Sequence, residues 1–393
     1  MSDKERRAEG RPANIPYAKQ CIDESDIKSV VDALKSDYVT QGLRTEWFED
    51  GLKEVTGAQY AVAVSSGTAA LHIACLGLGV AKGDYGITPA ITFTASANCL
   101  RHVGAEVAFA DVDPITGRSS AAHFKKAIEA SQRQGVLKAL IPVSYSGAVP
   151  SIEAIASLAL KNKSYVIEDA AHSIGARYMR SDGSLGRSAS CQDSDAAILS
   201  FHPVKHVCAG EGGAVLTNDG VLASRLRRLR SHGIRKQEDW FYNQEELGFN
   251  YRMSELQAAL GNSQLGKLKG FIGRRVEIAL RYVAAFSRKP FSGHIKIATA
   301  DECSSYHLFV VHFQCEEVRR AAYEHMHARG IRVQVHYIPV YRHDYYANAV
   351  RGGLPGAESF YSTCLSLPMY PSLRVDEQDY VIETIGDFLA SCL

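Results

Sequence analysis

The chain has 393 residues, 46% of them hydrophobic and 22% charged, which is an ordinary balance for a globular protein of about two domains. Its 44 Lys and Arg residues nearly cancel its 43 Asp and Glu residues, and a formal net charge of +1 argues against nucleic acid or an anionic membrane surface as a partner. The nine cysteines show no CxxC spacing, and no apolar run approaches the roughly 20 residues that span a bilayer, so we expect a cytoplasmic protein with reduced thiols and a small-molecule ligand.

The N-terminal region is expected to begin with a mobile tail over residues 1–12, because these residues are polar and charged without periodicity. Apolar residues then recur at helical spacing in DESDIKSVVDALKS (23–36) and in TEWFEDGLKEVTG (45–57). We predict two amphipathic helices here, the first behind a capping Asp or Ser and the second closing on a glycine.

Short apolar runs alternate with helical patterns between about residues 60 and 217. The runs are YAVAV, GAEVAFA, LKALIPV, YVIED, DAAILS and GGAVLT. Runs that are apolar on both faces are typical of a mostly parallel sheet covered by helices, here in a large α/β domain over residues 13–248. Ligands of such sheets bind beyond the carboxyl ends of the strands. The polar clusters SSGT, TPAITF, DVD, EDAAH and SFHPVK all lie at such ends.

The pattern changes after about residue 235. NYRMSELQAALGNSQLGKL contains a capping box, Ser254 and Gln257, and the long helical pattern FIGRRVEIALRYVAAF follows. Further on we predict a strand in YHLFVVHF, a helix in EVRRAAYEHMHARG, a strand in IRVQVHYIPV and a last helix near VDEQDYVIETIGDFLASC. Residues 249–393 are therefore expected to form a connector helix and a smaller α+β domain.

Lys205 stands between an apolar strand and the glycine-rich turn AGEGG. Most lysines are solvated surface groups, but bare glycine backbone allows a flat ligand to approach. A lysine whose surroundings lower its pKa becomes a nucleophile that forms Schiff bases with carbonyl groups. The setting therefore makes Lys205 a candidate Schiff-base lysine.

Asp169 ends the apolar run in VIEDAAH and is either a helix N-cap or a carboxylate held in the site. A buried carboxylate beside a pyridine nitrogen keeps that nitrogen protonated, and the ring can then stabilise a carbanion. His172, three residues later and on the same expected helical face, would hold the phenolic oxygen of such a ring. The alternative for His172 is an ordinary core histidine.

Ser66, Gly67 and Thr68 follow a strand and open a helix, so they present backbone N–H groups and the helix dipole to an anion. The alternative is a glycine cap with only a structural role. Ser200, five residues before Lys205, offers a hydroxyl to the same phosphate. Phe93 in TPAITFTASAN would stack on a flat ring, or else belong to the core.

A Schiff-base lysine, a ring carboxylate, a phosphate cup and a stacking aromatic together describe a site for pyridoxal 5′-phosphate (PLP). We predict that Lys205, Asp169 and His172 are the catalytic residues. No metal is expected, because the chain shows no metal-ligand spacing.

At these residues the chain resembles the DegT/DnrJ/EryC1/StrS sugar aminotransferases, which have the PLP-dependent transferase fold type I. The resemblance runs from about Ile15 to the C-terminus. It is carried by YVTQGLRTEWFE, AVAVSSGTAALHIA, TPAITFTASANCL, VIEDAAHSIGA, SFHPVK, EGGAVLTND, RSHGI, GFNYRMSELQAALG and LSLPMYPSL. It implies a homodimer with the active site at the subunit interface, where Asn250 and Arg252 of NYRM reach the cofactor phosphate of the partner. It also implies four residues near the sugar, Gln41, Gly42, His336 and Tyr337.

Within this family, QVHYIPVY, VSYSGAVP, RSHGIRK and LGFNYRMSELQAALG are most similar to the branch that makes pseudaminic acid precursors. That similarity implies transfer of the amino group of L-glutamate to C4 of a UDP-linked 4-keto-6-deoxy-N-acetylhexosamine of L-altro configuration, with 2-oxoglutarate released. Perosamine-type and 4-amino-arabinose-type synthases share most of these motifs and remain alternatives. The alternative for His336 and Tyr337 is a plain strand that ends at a proline.

Three other kinds of protein were weighed against a transaminase. PLP-dependent sugar dehydratases carry histidine in place of the Schiff-base lysine, and His206 follows Lys205 directly, but Lys205 is the residue in register with SFHPVK. A regulatory or structural protein without catalysis is expected to lose Lys205 or Asp169, and neither is lost. A dinucleotide-binding protein needs GxGxxG after its first strand, which SSGTAA does not supply.

Overall fold

The computed structural model describes residues 14–131, 134–347, 349 and 354–392, so the predicted tail over residues 1–12 lies outside the described residues. The α-helices are α1 Glu24–Leu34, α2 Leu43–Thr56, α3 Gly67–Gly77, α4 Ala95–His102, α5 Ala121–Ser131, α6 Ile152–Lys161, α7 Gly220–Arg230, α8 Glu255–Leu265, α9 Leu268–Phe286, α10 Glu316–Ala328, α11 Pro355–Thr363 and α12 Val375–Cys392. Within the described parts of the chain, none of these helices is both long and apolar enough for a bilayer span.

The β-strands of the described residues belong to one large sheet and three small ones. They are β1 Tyr60–Val64, β2 Asp84–Pro89, β3 Glu106–Ala110, β4 Val136–Leu140, β5 Tyr165–Asp169, β6 Arg177–Met179, β7 Leu185–Arg187, β8 Ala196–Ser200, β9 Gly213–Thr217, β10 Ile234–Lys236, β11 Tyr242–Gln244, β12 Lys296–Ile297, β13 Phe309–His312 and β14 Cys364–Leu367.

The two predicted N-terminal helices are α1 and α2. Asp23 caps α1 by accepting from the N–H groups of residues 25 and 26, and Asp26 returns a bond to the Asp23 N–H, which completes a capping box. The second helix ends at Gly57, whose φ of +82° is left-handed and suits glycine. Their apolar residues are only partly buried, since Ile27 and Leu34 are exposed.

The large sheet has the strand order β1-β9-β8-β5-β4-β2-β3. The pairs β2–β3, β2–β4, β4–β5 and β5–β8 are parallel, whereas β9 runs antiparallel to β1 and β8. This mixed, mostly parallel sheet with its covering helices confirms the α/β class. Strand β2 was not predicted from the sequence, because DYGITP contains a glycine and a proline, which are unusual in strands.

The C-terminal region contains the antiparallel sheet β12-β13-β14 and a core of its own with residues of α9, α10 and α12. The predicted strand in YHLFVVHF is β13 and the predicted helix in EVRRAAYEHMHARG is α10. The predicted strand in IRVQVHYIPV is wrong: the segment makes only single bridges, at Ile331 and Gln334. Its alternating pattern has another cause, because Ile331 and Val333 enter the C-terminal core as the chain passes toward the site.

The division between residues 13–248 and 249–393 stays a prediction. Helix α8 lies close to α2, where a Cβ added at Gly261 would be 2.9 Å from the Phe48 ring. The capping box predicted at the start of α8 is present, with Ser254 and Gln257 each binding the backbone of the other.

Candidate active site

Lys205 lies in the irregular turn between β8 and β9. Its N–H donates to the His202 carbonyl at 2.8 Å, and the Ala209 N–H closes the turn on the Phe201 carbonyl at 2.9 Å. Burial lowers the pKa of the Lys205 amine to about 8, although the Asp169 carboxylate opposes this shift. An amine with this pKa is partly neutral near physiological pH, which is the form that attacks carbonyl groups.

Asp169 is the last residue of β5 and is buried. Residues 171–175 form turns and no helix begins at Asp169, so the helix N-cap alternative and the helical face shared with His172 are both wrong. Burial raises the pKa of the Asp169 carboxyl, whereas hydrogen bonds from the Ser96 hydroxyl at 2.6 Å and the Ala171 N–H at 3.2 Å favour its charged form. A negative charge can therefore be held here in a buried position.

His172 is buried, and both of its ring nitrogens have partners. The Ser146 N–H donates to its Nδ1 at 3.4 Å, so Nδ1 carries no proton, and Nε2 lies 3.2 Å from the Tyr337 hydroxyl. Burial, together with Lys205 and His336, holds the pKa of His172 well below its usual value. His172 is therefore neutral, and its Nε2–H points toward Tyr337.

The predicted phosphate cup lies where α3 begins. The Ser66 hydroxyl accepts from the Ala69 N–H at 3.1 Å, while the N–H groups of Gly67 and Thr68 have no partner within the helix. A Cβ added at Gly67 would be 2.9 Å from the Ser200 Cβ, and one added at Gly213 would be 2.4 Å from the Ser66 carbonyl oxygen. The start of α3 and the end of β8 thus approach so closely that a side chain at Gly67 or Gly213 would not fit between them. The free N–H groups of this cradle are donors that suit a phosphate.

Phe93 and two residues of the C-terminal region line the approach to this cluster. Phe93 is 60% exposed, so it is not a core residue, and its ring lies 6.1 Å from that of Tyr337. His336 binds the Ser366 hydroxyl through Nδ1 at 2.9 Å, and burial lowers its pKa to about 4. His336 and Tyr337 do not end a strand, and the fold brings both to His172.

The other four predicted residues lie on two segments, residues 41–42 and 250–252. Thr40, next to Gln41, makes a bridge with Ser254, and a Cβ at Gly42 would be 2.8 Å from the Glu255 carboxylate. Asn250 is exposed and Arg252 half-buried, on a segment joined to the residue before Ser66 by the bond from the Ser65 N–H to the Tyr251 carbonyl. Among the described residues, none of the four hydrogen bonds to Lys205, Asp169 or His172.

Sequence reasoning missed five residues that support the cluster, namely Ser96, Tyr145, Glu168, Ser305 and His307. Ser96 holds Asp169, and the Tyr145 hydroxyl donates to the carbonyl of His336. Glu168 accepts from the hydroxyls of Ser144 and Ser188, and burial raises its pKa to about 7. The only local signal was the double acid of VIED, since the other partners are distant in sequence.

Two curated relatives match the chain along nearly its whole length. The "Spore coat polysaccharide biosynthesis protein SpsC" of Bacillus subtilis is 34% identical over an alignment length of 392, which covers 95% of this chain and 97% of that protein. A "UDP-4-amino-4,6-dideoxy-N-acetyl-beta-L-altrosamine transaminase" of Campylobacter jejuni is 34% identical over 380 residues, with the same shares of the two chains.

Two solved structures share the fold. Helicobacter pylori PseC, an "aminotransferase involved in the biosynthesis of pseudoaminic acid", superposes with a TM-score of 0.88 at 29% identity, over 96% of this chain and 100% of that one. The PLP form of the "putative sugar aminotransferase Spr1654" of Streptococcus pneumoniae has a TM-score of 0.87 at 28% identity, over 97% of this chain and 100% of that one. These structures confirm fold type I and pyridoxal 5′-phosphate as the cofactor.

The family model of the "DegT/DnrJ/EryC1/StrS aminotransferase family" matches residues 20–386. The chemistry of the cluster fits its cofactor, since a low-pKa lysine, a buried carboxylate and a glycine cradle lie at one edge of the sheet. The match spans nearly the whole chain, and the protein belongs to the DegT/DnrJ/EryC1/StrS aminotransferase family.

Proposed function

We propose that the protein transfers the amino group of L-glutamate to C4 of a UDP-linked 4-keto-6-deoxy-N-acetylhexosamine of L-altro configuration, a step toward pseudaminic acid. The observation that carries the transaminase chemistry is the half-buried Lys205 amine, with its pKa of about 8, electrostatically coupled to Asp169. The sugar is proposed from the activities for which the Campylobacter and Helicobacter relatives are named.

Lys205 would hold the aldehyde of the cofactor and, once displaced by the donor amine, move the proton. Pyridoxal phosphate supplies an aldehyde that takes up an amino group and a ring that spreads the charge left by proton loss. In the first half-reaction the neutral Lys205 amine would remove the α-proton of glutamate. In the second half-reaction it would return a proton to C4 of the sugar.

The neighbouring residues would fix the cofactor while Lys205 moves. Asp169 would bind the protonated ring nitrogen, because hydrogen bonds from Ser96 and the Ala171 N–H favour its charged form in a buried position. The Nε2–H of His172 would donate to the phenolic oxygen in place of the Tyr337 hydroxyl, and Phe93 would stack on the ring. The phosphate would bind the N–H groups of Gly67 and Thr68 at the start of α3, beside the hydroxyls of Ser66 and Ser200.

The sugar and the phosphate would also be contacted by residues of a partner subunit, in a homodimer with a shared active site. Gln41, Gly42, Asn250 and Arg252 make no hydrogen bond to Lys205 among the described residues of this chain. Apolar side chains of α1 and α2 are exposed beside them, among them Ile27, Leu34, Leu43 and Trp47. Exposed apolar patches of this kind mark interaction surfaces.

We place the protein in the cytoplasm. All nine cysteines are free, and five of them are buried, which suits a compartment that keeps thiols reduced.

The function is tested with purified protein, pyridoxal phosphate and L-glutamate. Glutamate should remove the visible absorption band of the bound cofactor and release 2-oxoglutarate, and the wild type should then aminate the L-altro ketosugar faster than ketosugars of the perosamine or 4-amino-arabinose type. Lys205→Ala should abolish both half-reactions, while Lys125→Ala, which changes an exposed lysine 4.0 Å from Glu129, should leave both intact. Faster turnover of another ketosugar would overturn the substrate, and retained turnover in Lys205→Ala would overturn the mechanism.

The shared site is tested by mixing two inactive variants, Lys205→Ala and Asn250→Ala, under conditions that exchange subunits. One site of each mixed dimer then contains Lys205 from one chain and Asn250 from the other, and activity should reappear. If Asn250 serves the site of its own chain, no mixed dimer has an intact site and activity stays absent.

A further inference from the structure

His206 is a buried side chain that the proposed reaction does not use. It is 2% exposed, and its Nε2 lies 2.9 Å from the Ser305 carbonyl oxygen. Since a carbonyl oxygen only accepts, Nε2 carries the proton and donates it, and Nδ1 has no partner among the described residues. The ring is therefore committed to Ser305 and does not replace Lys205 in the way that the histidine of a dehydratase replaces the Schiff-base lysine.

Ser305 is also bound to the parts of the chain that surround Lys205. Its N–H donates to the Gly147 carbonyl at 2.9 Å, and its hydroxyl donates to the His172 carbonyl at 3.2 Å. Gly147 has a left-handed φ of +104°, and a Cβ there would be 2.6 Å from the Tyr306 nitrogen. Residues 305–307 are thus pressed against the turn whose Ser146 N–H binds His172.

The same segment is held from its other side. Arg275 is 1% exposed, and its Nη1 donates to the backbone carbonyls of residues 306, 307 and 369 at 3.1 to 3.2 Å. The His307 ring lies 4.2 Å from the ring of His172 and 5.5 Å from that of His206. Residues 305–307 are therefore a fixed support on which both His172 and His206 rest.

We propose that His206 is a positioning residue, which fixes the Lys205 turn and its shielding from water by donating to Ser305. The turn has few backbone bonds of its own, and His206 is the residue adjacent to Lys205. Losing this bond would free the turn from the support that also holds His172. The proposal rests on the assignment of Lys205 as the cofactor lysine.

His206 does not position the Lys205 turn through a charge of its own. Burial, with Arg275 and Lys205 nearby, holds its pKa well below the usual value, so the ring is neutral while the enzyme works. The other titratable and charged groups coupled to this region are Asp169, His172, His307, His336 and Arg275. His206 therefore acts on Lys205 by holding its position.

The test compares His206→Phe, which keeps a ring and loses the donor, with His206→Gln, which keeps a donor. Cofactor-free protein is acetylated at a series of pH values, and the modified Lys205 peptide is quantified by mass spectrometry. In the wild type, the pH at which Lys205 acetylation reaches half of its maximum rate is expected at about 8, and this pH is called the midpoint below. In His206→Phe it should rise by at least about half a pH unit, because water reaches the amine and the effect of burial weakens. The kcat should fall by up to about 100-fold with little change in the KM for glutamate, and His206→Gln should recover most of both losses.

His312→Phe is the matched control. His312 is also 2% exposed, and its Nε2 lies 2.9 Å from the Ile115 carbonyl, so this change removes the same kind of bond elsewhere, together with the contact of its Nδ1 with the Thr363 hydroxyl at 2.9 Å. It should lower the melting temperature and leave the Lys205 midpoint unchanged.

The proposal is overturned if His206→Phe loses stability as His312→Phe does but keeps the wild-type midpoint and kcat, or if His206→Gln recovers neither. If His206→Phe does not fold, His206→Met replaces it as the variant without a donor and is compared with His206→Gln in the same way. If wild-type Lys205 fails to bind pyridoxal phosphate, the proposed function fails, while the acetylation midpoints still test the positioning role.

Discussion

Replacing Lys205 by methionine should make the cofactor-free protein more stable at neutral pH, although it removes the proposed catalytic amine. The two side chains have similar length, but methionine is apolar. Lys205 is charged at neutral pH in both the folded and the unfolded chain, and in the folded chain that charge is buried. Its pKa of about 8, against an ordinary 10.5, measures how unfavourable this is after the attraction of Asp169 has been included.

A shift of this size corresponds to about 3 kcal/mol, which is an upper value because Lys205 is not fully shielded from water. Below pH 8 the Lys205 amine is protonated in both the folded and the unfolded chain, so the full free-energy cost of burying its charge is present. Between 8 and 10.5 the unfolded chain binds more protons than the folded chain, and wild-type stability therefore rises with pH. Above 10.5 both states are neutral and the cost has vanished. The advantage of Lys205→Met should therefore be largest below pH 8 and should shrink across this window.

Urea unfolding of the cofactor-free wild type and variant, at neutral pH and again between the two pKa values, measures the difference directly. Other lysines and tyrosines titrate in the same range, but they are common to both proteins and cancel. Lys125→Met, at an exposed position, should change stability by less than about 0.5 kcal/mol at either pH. A Lys205→Met variant that is no more stable than wild type at neutral pH, or whose advantage does not depend on pH, would refute the argument that Lys205 is a destabilised amine.

Two further substitutions test the groups around the cofactor. Gly67→Ala should weaken binding of pyridoxal phosphate in a titration by about 10-fold or more, because its Cβ would be 2.9 Å from the Ser200 Cβ and must push the cradle open. Gly270→Ala should leave the affinity for pyridoxal phosphate unchanged, because a Cβ added at this helical position would meet no other part of the chain within 4 Å. Ser96→Ala removes a bond that favours the charged Asp169, so the pKa of that carboxyl should rise, and the acid limb of the kcat–pH profile should move up by about one to two units. An acid limb that stays in place would mean that Ser96 does not support the charge.

The sequence was sufficient to find the residues at the strand ends. Asp169 ends β5, Ser200 ends β8 and Ser66 follows β1, so the pattern of apolar runs alone places them at one edge of the sheet. The same argument predicted that Lys205, a few residues after β8, would lie near Asp169. Parallel strands make this inference reliable, because their carboxyl ends meet whatever the loops do.

The pattern of apolar runs did not predict the contacts between chain segments that are distant in sequence. Ser305 and His307 meet His172 from more than a hundred positions away, and no local periodicity signals such a contact. Residues 331–337 mimic a strand because Ile331 and Val333 alternate into the C-terminal core, yet the segment pairs only at single bridges. Periodicity indicates which side chains are buried. It does not distinguish burial in a strand from burial in an irregular segment that passes from the C-terminal core to the active site, as residues 331–337 do.

Burial is the property that links the fold to the reactivity of the site. It lowers the pKa of Lys205 and raises that of Asp169, while the attraction between the two charges opposes both shifts. On an exposed surface such a pair would be fully charged at neutral pH, and the amine would be a poor nucleophile. The sheet edge provides the positions, but the segments that fold over it, with Ser96 on one side and Ser305 on the other, provide the burial and its hydrogen bonds. The strand pattern can therefore identify the lysine, whereas its reactivity depends on contacts that only the folded chain makes.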